Sequence, residues 1–198
     1  MSMEMMKKAM IGTAGMVALV SAASAQVSPA NIPGQLDNAG PDVTDVEFVG
    51  TTTLTKSGVP LTCTLSLTGD LDTSNLPTIT IDVKEGDVTG SFLCNAVDLG
   101  LDPSDSSTWW TASKSESDLP NDADALDPIT NITFSNLDIS TPLGSCSGTV
   151  SPVSFANGVT DVTDASQFAF DNALISGGSC SVTGTLLSPT GSGDANIW

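Results

Sequence analysis

The 198-residue sequence contains no histidine, no tyrosine and no arginine, and its only basic side chains are five lysines. Without histidine, the Ser-His-Asp and Cys-His catalytic arrangements and histidine-ligated metal centres are unavailable. Without arginine, the chain has no guanidinium clamp for an oxyanion or a phosphate. Only carboxylate chemistry is left, and no pair of acidic residues stands out from the others. The sequence therefore predicts a protein that is not an enzyme and has no catalytic residues.

Acidic residues dominate the charge of the chain: twenty-three aspartates and glutamates stand against five lysines, for a net charge of −18. Nucleic-acid binding depends on clustered lysine and arginine that neutralise phosphates, so a nucleic-acid partner is excluded. Only four of the acids are glutamate, and aspartate favours turns and loops. We therefore expect the charge to lie on loops and strand edges, where it keeps the protein soluble.

The N-terminal segment has the pattern of a secretory signal peptide. Lys7 and Lys8 precede an apolar run over residues 9–20, and the sequence "ASA" at 23–25 is the small-x-small pattern that signal peptidase accepts. No second apolar stretch of membrane length follows, so no direct membrane insertion is expected. We expect cleavage before Gln26 and a protein that is secreted, either extracellular or at the cell surface.

Removal of the predicted signal peptide, residues 1–25, leaves three lysines and twenty-two acids, a net charge of −19. The remaining length suits one domain with a substantial core. We divide it into an N-terminal extension over 26–45, a β domain over 46–190 and a C-terminal tail over 191–198. Inside the domain, the segment 98–128 is rich in aspartate and serine.

Short runs in which apolar and polar residues alternate recur through the mature chain. They include "VEFVGTTTLT", "LTCTLSLTG", "TITIDV", "ITNITFSNLDI", "QFAFDNALI" and "CSVTGTL". Such alternation is typical of half-buried β-strands. Turn signals lie between the runs: "TGD" at 68–70, "EGD" at 85–87, "NG" at 157–158 and "GG" at 177–178. The sequence predicts an all-β fold, an antiparallel β-sandwich or a jelly-roll-like arrangement.

Two stretches nearly repeat each other: "GSCSGTV" at 144–150 and "GSCSVTGTL" at 178–186. The segments 46–97 and 129–186 can each be read as a series of strands of which two carry a cysteine. This order predicts two related halves. The alternative is that the repeated phrase is an accident of low-complexity strand sequence.

The four cysteines are expected to form disulfides, because their number is even and export leads to an oxidising compartment. Three pairings are possible. We favour Cys63–Cys94 and Cys146–Cys180, one in each half, with similar separations of 31 and 34 residues. A zinc site is not expected, since the sequence has no CxxC pair and no histidine.

The segment 98–128 interrupts the rhythm of strands and turns. On a strand, the adjacent Trp109 and Trp110 would point to opposite faces, so that one enters the core and the other is a candidate contact for a ligand or partner. Calcium is a candidate cofactor because four carboxylates follow at close spacing: Asp118, Asp122, Asp124 and Asp127. The segment lacks the glycine and the terminal glutamate of an EF-hand loop, which favours a solvated acidic loop instead.

The order of these features resembles a known family. "LTCTLSLTG", the cysteine of "SFLCNAV", a tryptophan in the next segment, "GSCSGTV", and "GSCSVTGTL" before a short "SPTGSG" tail are similar to PraB-like small secreted bacterial proteins, over roughly residues 58–190. That family is described as alkane-oxidation activators and as biofilm-matrix or surface-adhesion proteins. The resemblance implies an extracellular structural or adhesive role and no active site. The long Asp-rich segment and the stronger acidity of this chain depart from the pattern.

Two classes of function follow from these features. The leading hypothesis is a secreted, non-enzymatic protein of the extracellular matrix or cell surface. Its partners would be copies of itself, as in a filament, or other matrix components, bound through sheet edges or apolar patches. The alternative is a glycan- or calcium-binding β-sandwich module centred on the tryptophans and the acidic segment. A carboxylate-type hydrolase is a third and weaker interpretation.

Overall fold

The computed structural model describes residues 43–72, 75, 77–120, 126–157 and 164–188. These residues form eight strands: β1 (Val43–Lys56), β2 (Val59–Asp72), β3 (Thr78–Thr89), β4 (Trp110–Ser115), β5 (Ile129–Thr141), β6 (Gly144–Ala156), β7 (Gln167–Gly177) and β8 (Cys180–Leu187). Single turns of 3₁₀-helix lie between strands at Cys94–Ala96, Ser106–Thr108 and Glu116–Asp118. No helix in the described part of the chain is long and apolar enough to cross a membrane.

The eight strands form one closed antiparallel barrel in chain order. Each strand pairs with the next, and β1 closes the barrel by pairing with β8, for example through Thr53 and Thr183. The fold is all-β and antiparallel as predicted, but the prediction of a sandwich or jelly roll is wrong. In a sandwich and in a barrel alike, one face of each strand is buried, so the alternation that identifies the strands does not distinguish the two.

Three asparagines keep the apolar face of the strands turned toward the barrel interior. On β5 the buried residues fall two or three positions apart, not strictly two. Asn131 and Asn136 lie at the register shifts between β5 and β6 and have φ angles of 56° and 66°. Asn172 has a φ of 50° and lies at the register shift between β7 and β8. Asparagine tolerates this left-handed conformation. Each bulge places one extra residue in the strand, and the apolar side chains that follow it therefore point into the barrel again.

The acidic segment 98–128 contains a strand that the sequence prediction missed. β4 lies inside this segment and pairs with β3 along its whole length, from Ser115 with Thr78 to Trp110 with Val83. Trp110 and Ala112 are buried and alternate with more exposed residues, but the many serines around them make this pattern hard to recognise in the sequence.

The turns predicted at "TGD" and "EGD" are also wrong, because both triplets lie within the long strands β2 and β3.

The connections between strands fall at two ends of the barrel, because successive strands run in opposite directions. We call one of them the disulfide end; it holds the β1–β2, β5–β6 and β7–β8 turns and the β3–β4 connection. Near it, Cys63 is bonded to Cys94 and Cys146 to Cys180, the pairing favoured from the sequence. The predicted halves are not alike, however. The chain leaves β3 at Gly90, whose φ of 133° suits glycine, and Cys94 therefore lies in a 3₁₀ turn and not on a strand.

Two different pieces of chain complete the wall between β3 and β5. Away from the disulfide end, β4 fills the gap and shares one ladder pair with β5, Thr111 with Ser135. Closer to the disulfide end, the β3–β4 connection takes its place. There Asp98 and Ser140 form an isolated antiparallel bridge with hydrogen bonds of 2.9 and 2.8 Å. The barrel is therefore closed partly by a connection and not only by strands.

Leu99 projects from this connection into the barrel beside Gly86 of β3. A Cβ atom added at Gly86 would lie 2.6 Å from Leu99 Cδ1 and 2.9 Å from Leu67 Cδ2. A larger side chain at this position would therefore displace the buried leucine. The absence of a side chain at Gly86 lets the connection seal the wall.

Candidate functional site

The barrel interior contains two apolar cavities of about 60 Å³ each. The first cavity lies in the half away from the disulfide end, and its apolar lining includes Val46, Phe48, Leu71, Ile81, Val83, Phe134, Phe155, Phe168 and Leu186. The second cavity lies toward the disulfide end, and its lining includes Leu54, Leu61, Cys63, Leu65, Val88, Val97, Leu99, Leu137, Ile139 and Val182. Four residues line both cavities and separate them: Leu67, Trp110, Val150 and Phe170.

Four phenylalanines from different strands form the aromatic wall of the first cavity. The ring centroid of Phe168 lies 4.9 Å from those of Phe48 and Phe155 and 5.8 Å from that of Phe134, in edge-to-face or tilted contacts. Such contacts contribute about 0.5–1.5 kcal/mol each beyond the burial of area. The wall is thus held in one arrangement by β1, β5, β6 and β7 together.

Trp110 lies at the boundary between the two cavities and is 6% exposed. Its indole Nε1–H group has no hydrogen-bond partner among the described residues. In the same part of the chain, no other buried side-chain nitrogen or oxygen is left without one. Burying a donor without an acceptor costs roughly 1–3 kcal/mol, and native structures satisfy most such groups. Trp110 therefore carries an unused hydrogen-bond donor on a side chain that lines both apolar cavities.

Trp109, directly before β4, lies on the outer side of the wall and is half-buried. Its Nε1–H donates a hydrogen bond of 3.0 Å to the carbonyl oxygen of Asp102, and the ammonium of Lys84 lies 5.9 Å from the centroid of its ring. Lys84 also contacts the carboxylates of Asp70 at 2.9 Å and Asp45 at 3.1 Å. The hydrogen bond to Asp70 is the main cause that raises the pKa of Lys84 above its ordinary value.

Two aspartate turns shape the connection that leads to the tryptophans. The carboxylate of Asp102 accepts hydrogen bonds from the backbone N–H and the hydroxyl of Ser104, and Asp105 does the same with Ser107. These bonds favour the charged form and lower the pKa of both carboxyl groups. Asn136 of β5 then donates a hydrogen bond of 2.7 Å to the carbonyl oxygen of Ser107. Part of the aspartate and serine in this segment thus has a local structural role.

The two tryptophans, predicted as candidate contacts for a ligand or partner, lie in different environments. Trp110 is 6% exposed, so it is the one of the two that enters the core, and its ring is not available to a partner at the surface. Contact of Trp110 with a ligand stays a prediction. In the outer Trp109, the indole N–H is bonded to the carbonyl oxygen of Asp102, and the ammonium of Lys84 lies over the ring. A glycan contact through Trp109 stays a prediction.

The structure describes two of the four candidate calcium ligands. Asp118 and Asp127 are both exposed. Asp122 and Asp124 lie outside the described residues. In residues 43–72, 75, 77–120, 126–157 and 164–188, no group of three or more acidic, cysteine or histidine side chains is arranged to hold a metal ion. Calcium binding stays a prediction from the sequence.

A group of exposed apolar side chains lies at the disulfide end. Phe92 is 86% exposed and Leu93 is 44% exposed, both in the β3–β4 connection. Val59 of the β1–β2 hairpin and Leu143 of the β5–β6 turn are exposed as well. We call these four residues the apolar tip. They share one end of the barrel, and a contiguous apolar patch on a protein surface marks an interaction site more often than isolated exposed leucines do.

The chemistry that the cavities support is the binding of an apolar molecule. Among the described residues that line them, Asp70 is the one that carries a charged side chain, and it is paired with Lys84. Sequence reasoning missed these two cavities, although the alternation of Phe168 and Phe170 in "QFAFDNALI" indicates an aromatic inner face. Whether inward side chains leave a space depends on the curvature of the whole barrel, which no single strand encodes.

Comparison with known proteins identifies the family of this chain. The model of the family "Alkane oxidation protein activator PraA/PraB-like" matches residues 3–192, and the chain therefore belongs to that family. This confirms the resemblance found from the cysteine-bearing strands. Neither a search of the curated proteins nor a search of the solved structures gives a match.

Proposed function

We propose that this member of the alkane oxidation protein activator family is a non-enzymatic protein, exported from the cytoplasm, whose barrel binds a small apolar molecule. The observation that carries the proposal is the pair of apolar cavities inside a closed barrel. Eight-stranded barrels have an interior just wide enough for side chains or for one small ligand. The family description gives the chemical class, since an alkane or a molecule derived from one is apolar throughout most of its length.

The physical properties of the lining favour such a ligand. Transfer of apolar surface from water contributes about 25 cal/mol per Å² that is buried. An engineered apolar cavity of about 150 Å³ in another protein stays free of water and binds benzene. Each cavity here is less than half as large, but the two share Leu67, Trp110, Val150 and Phe170. Small rotations of these four side chains would join the cavities into a chamber for a ligand of about six non-hydrogen atoms.

Export and the absence of enzymatic activity rest on separate observations. Two disulfides indicate an oxidising compartment, and the N-terminal segment has the pattern of a signal peptide. The chain has no histidine, and the family description is that of an activator and not of an oxidase. We infer a binding protein that holds or delivers a hydrophobic compound outside the cytoplasm.

The test is direct binding of n-hexane to the mature chain. We expect hexane to raise the melting temperature in proportion to its concentration, because a ligand that binds only the folded state stabilises it by mass action. n-Hexadecane, which is far too long for the chamber, should have no effect. Val150→Phe, which fills the space between the cavities, should abolish the hexane effect. Thr149→Phe, on the outward side of the same strand, is the matched control and should keep it.

A result in which hexane leaves the melting temperature unchanged, and causes no shifts of methyl resonances in the barrel interior, would contradict the proposal. Equal effects of hexane on the Val150→Phe and Thr149→Phe variants would place binding outside the barrel and would contradict it as well.

The apolar tip favours a second candidate function, the surface or matrix role expected from the sequence. Phe92 is the one phenylalanine of six that lies outside the interior. Association through free sheet edges, the route first expected, has no support in the described barrel, because every one of its strands pairs on both sides. Contact through the apolar tip is the remaining route to self-association or adhesion.

A further inference from the structure

We infer that the ligand of the barrel carries one neutral oxygen that accepts a hydrogen bond from Trp110 Nε1–H, so that it is an aliphatic alcohol, aldehyde or ketone and not a plain alkane. This inference rests on the proposed binding function. It deepens that proposal by naming the class of molecule and the atom that recognises it.

The unused donor of Trp110 is the first step of the argument. Trp110 is 6% exposed, lines both cavities and has no acceptor for its Nε1–H among the described residues. Trp109 provides an internal comparison, because its indole N–H is satisfied at 3.0 Å by a backbone carbonyl. A buried donor left without an acceptor destabilises the fold, so a donor on a residue that lines both cavities is a candidate recognition group for a bound acceptor.

A water molecule is a poor partner for this donor. A buried water in proteins makes about three hydrogen bonds and needs two to four polar partners. The shared boundary of the cavities offers Trp110 beside Leu67, Val150 and Phe170, which provide no side-chain acceptor. An oxygen attached to a hydrocarbon chain accepts the one hydrogen bond while its chain fills the apolar space on either side.

The charges of the residues that line the cavities favour a ligand with a neutral oxygen over one with a carboxylate. A carboxylate would be an unpaired buried charge, because no lysine is among the described residues that line the cavities. The one charged lining residue, Asp70, is an anion that is already paired with Lys84, so it offers a bound carboxylate no opposite charge. An alcohol, aldehyde or ketone avoids this penalty. The first oxidation of an alkane yields a molecule of this class, so the site fits a product of alkane oxidation better than its substrate.

The experiment compares two ligands with six non-hydrogen atoms each, 1-pentanol and n-hexane, with pentanoate as the charged probe. The mature chain is labelled with ¹⁵N, and the indole N–H resonance of Trp110 is assigned by its loss in Trp110→Phe. We expect 1-pentanol to move this resonance downfield, as hydrogen bonding does, and n-hexane to leave it without a downfield shift. Pentanoate should not bind in the barrel.

The affinity of the Trp110→Phe variant for each ligand is a second, independent measure of the hydrogen bond. Trp110→Phe should weaken the binding of 1-pentanol by roughly two- to tenfold, the value of one net hydrogen bond, and should leave the affinity for hexane nearly unchanged. Trp109→Phe is the matched control and should alter neither affinity. The resonance shift is read in the wild-type protein, and only the assignment of the resonance uses the variant.

The outcomes separate the two proposals. If 1-pentanol and hexane bind equally well, with no downfield shift of Trp110 and no effect of Trp110→Phe, the inference about the oxygen is overturned and the binding function stands. If neither ligand binds, the proposed function itself fails. Tight binding of pentanoate in the barrel would overturn the assignment of a neutral ligand.

Discussion

The ammonium group of Lys56, at the last residue of β1, donates a hydrogen bond of 2.6 Å to the carbonyl oxygen of Ser145 near the start of β6. β1 and β6 are not neighbours in the barrel. The same ammonium group also donates to the carbonyl oxygen of Gly178 in the β7–β8 turn. Lys56 therefore links three separate parts of the disulfide end across the mouth of the barrel.

Lys56→Met should lower the free energy of unfolding by about 1 kcal/mol, because it removes charge-assisted hydrogen bonds and keeps the aliphatic stem. Partial exposure keeps the loss below that of a fully buried pair. Urea denaturation checks this value. Lys114→Met on β4 makes the same change in net charge and serves as the control; an equal loss in both variants would show that charge alone is responsible.

Removal of either disulfide should reduce stability by roughly 3–4 kcal/mol in the chain-entropy model, since the closed loops of 31 and 34 residues are nearly equal. The two double variants should differ in their local effect. Cys63→Ala with Cys94→Ala releases the connection that carries Leu99. Cys146→Ala with Cys180→Ala removes the link between β6 and β8, which are both still held by their ladders with β7.

Hydrogen exchange measures that local difference. Amides of residues 97–101 should exchange faster in the Cys63 and Cys94 variant than in the Cys146 and Cys180 variant, after correction for global stability. Equal protection of these amides in both variants would mean that the wall between β3 and β5 does not depend on the first disulfide.

Asp82→Asn should stabilise the protein at neutral pH. Burial is the main cause that raises the pKa of Asp82, followed by the charges of Asp70 and Asp72 and opposed by Lys84. The folded state therefore keeps a proton that the unfolded chain releases near pH 3.8, and stability falls as pH rises from that value through the raised pKa. The gain should be below about 1 kcal/mol, because solvent screens this partly exposed carboxyl group.

The pH dependence distinguishes this cause from a general effect of charge. The advantage of Asp82→Asn should disappear below about pH 3.8, where wild-type Asp82 is protonated in both states. Thermal unfolding across pH 3 to 7 measures it, with Asp87→Asn on the same strand as the control for net charge. An advantage that persists at the lowest pH would contradict the burial argument.

Self-association of the mature chain should increase with sodium chloride and depend on Phe92. A chain of net charge −19 repels its copies over about 8 Å at physiological ionic strength, while apolar groups attract at contact. Phe92→Ser should suppress association in light scattering at high salt without changing the melting temperature. Leu174→Ser removes another exposed apolar side chain, 61% exposed on β7, and should leave association intact. A monomer at every salt concentration would contradict the surface role.

Much of the local structure could be predicted from the sequence because it depends on neighbouring residues. Alternation in "LTCTLSLTG" and "TITIDV" identified β2 and β3, although their turn-like triplets proved to be strand residues. The short strand β4 was missed because six residues among serines and aspartates carry too weak a pattern. A change of spacing at an asparagine, as at Asn136, was a readable signal of a bulge that the simple alternation rule ignores.

Composition and short-range alternation in the sequence determined the all-β antiparallel class and the lack of histidine, tyrosine and arginine. The order of the cysteine-bearing segments indicated the family and favoured one of three disulfide pairings, which the structure confirms. Only the tertiary structure decided that β1 pairs with β8, that Leu99 seals the wall beside Gly86, and that Trp110 stands between two cavities with an unused donor. These features depend on contacts between residues far apart in the chain. Their geometry follows from the number of strands and from the curvature that the bulges impose, so no local pattern could contain it.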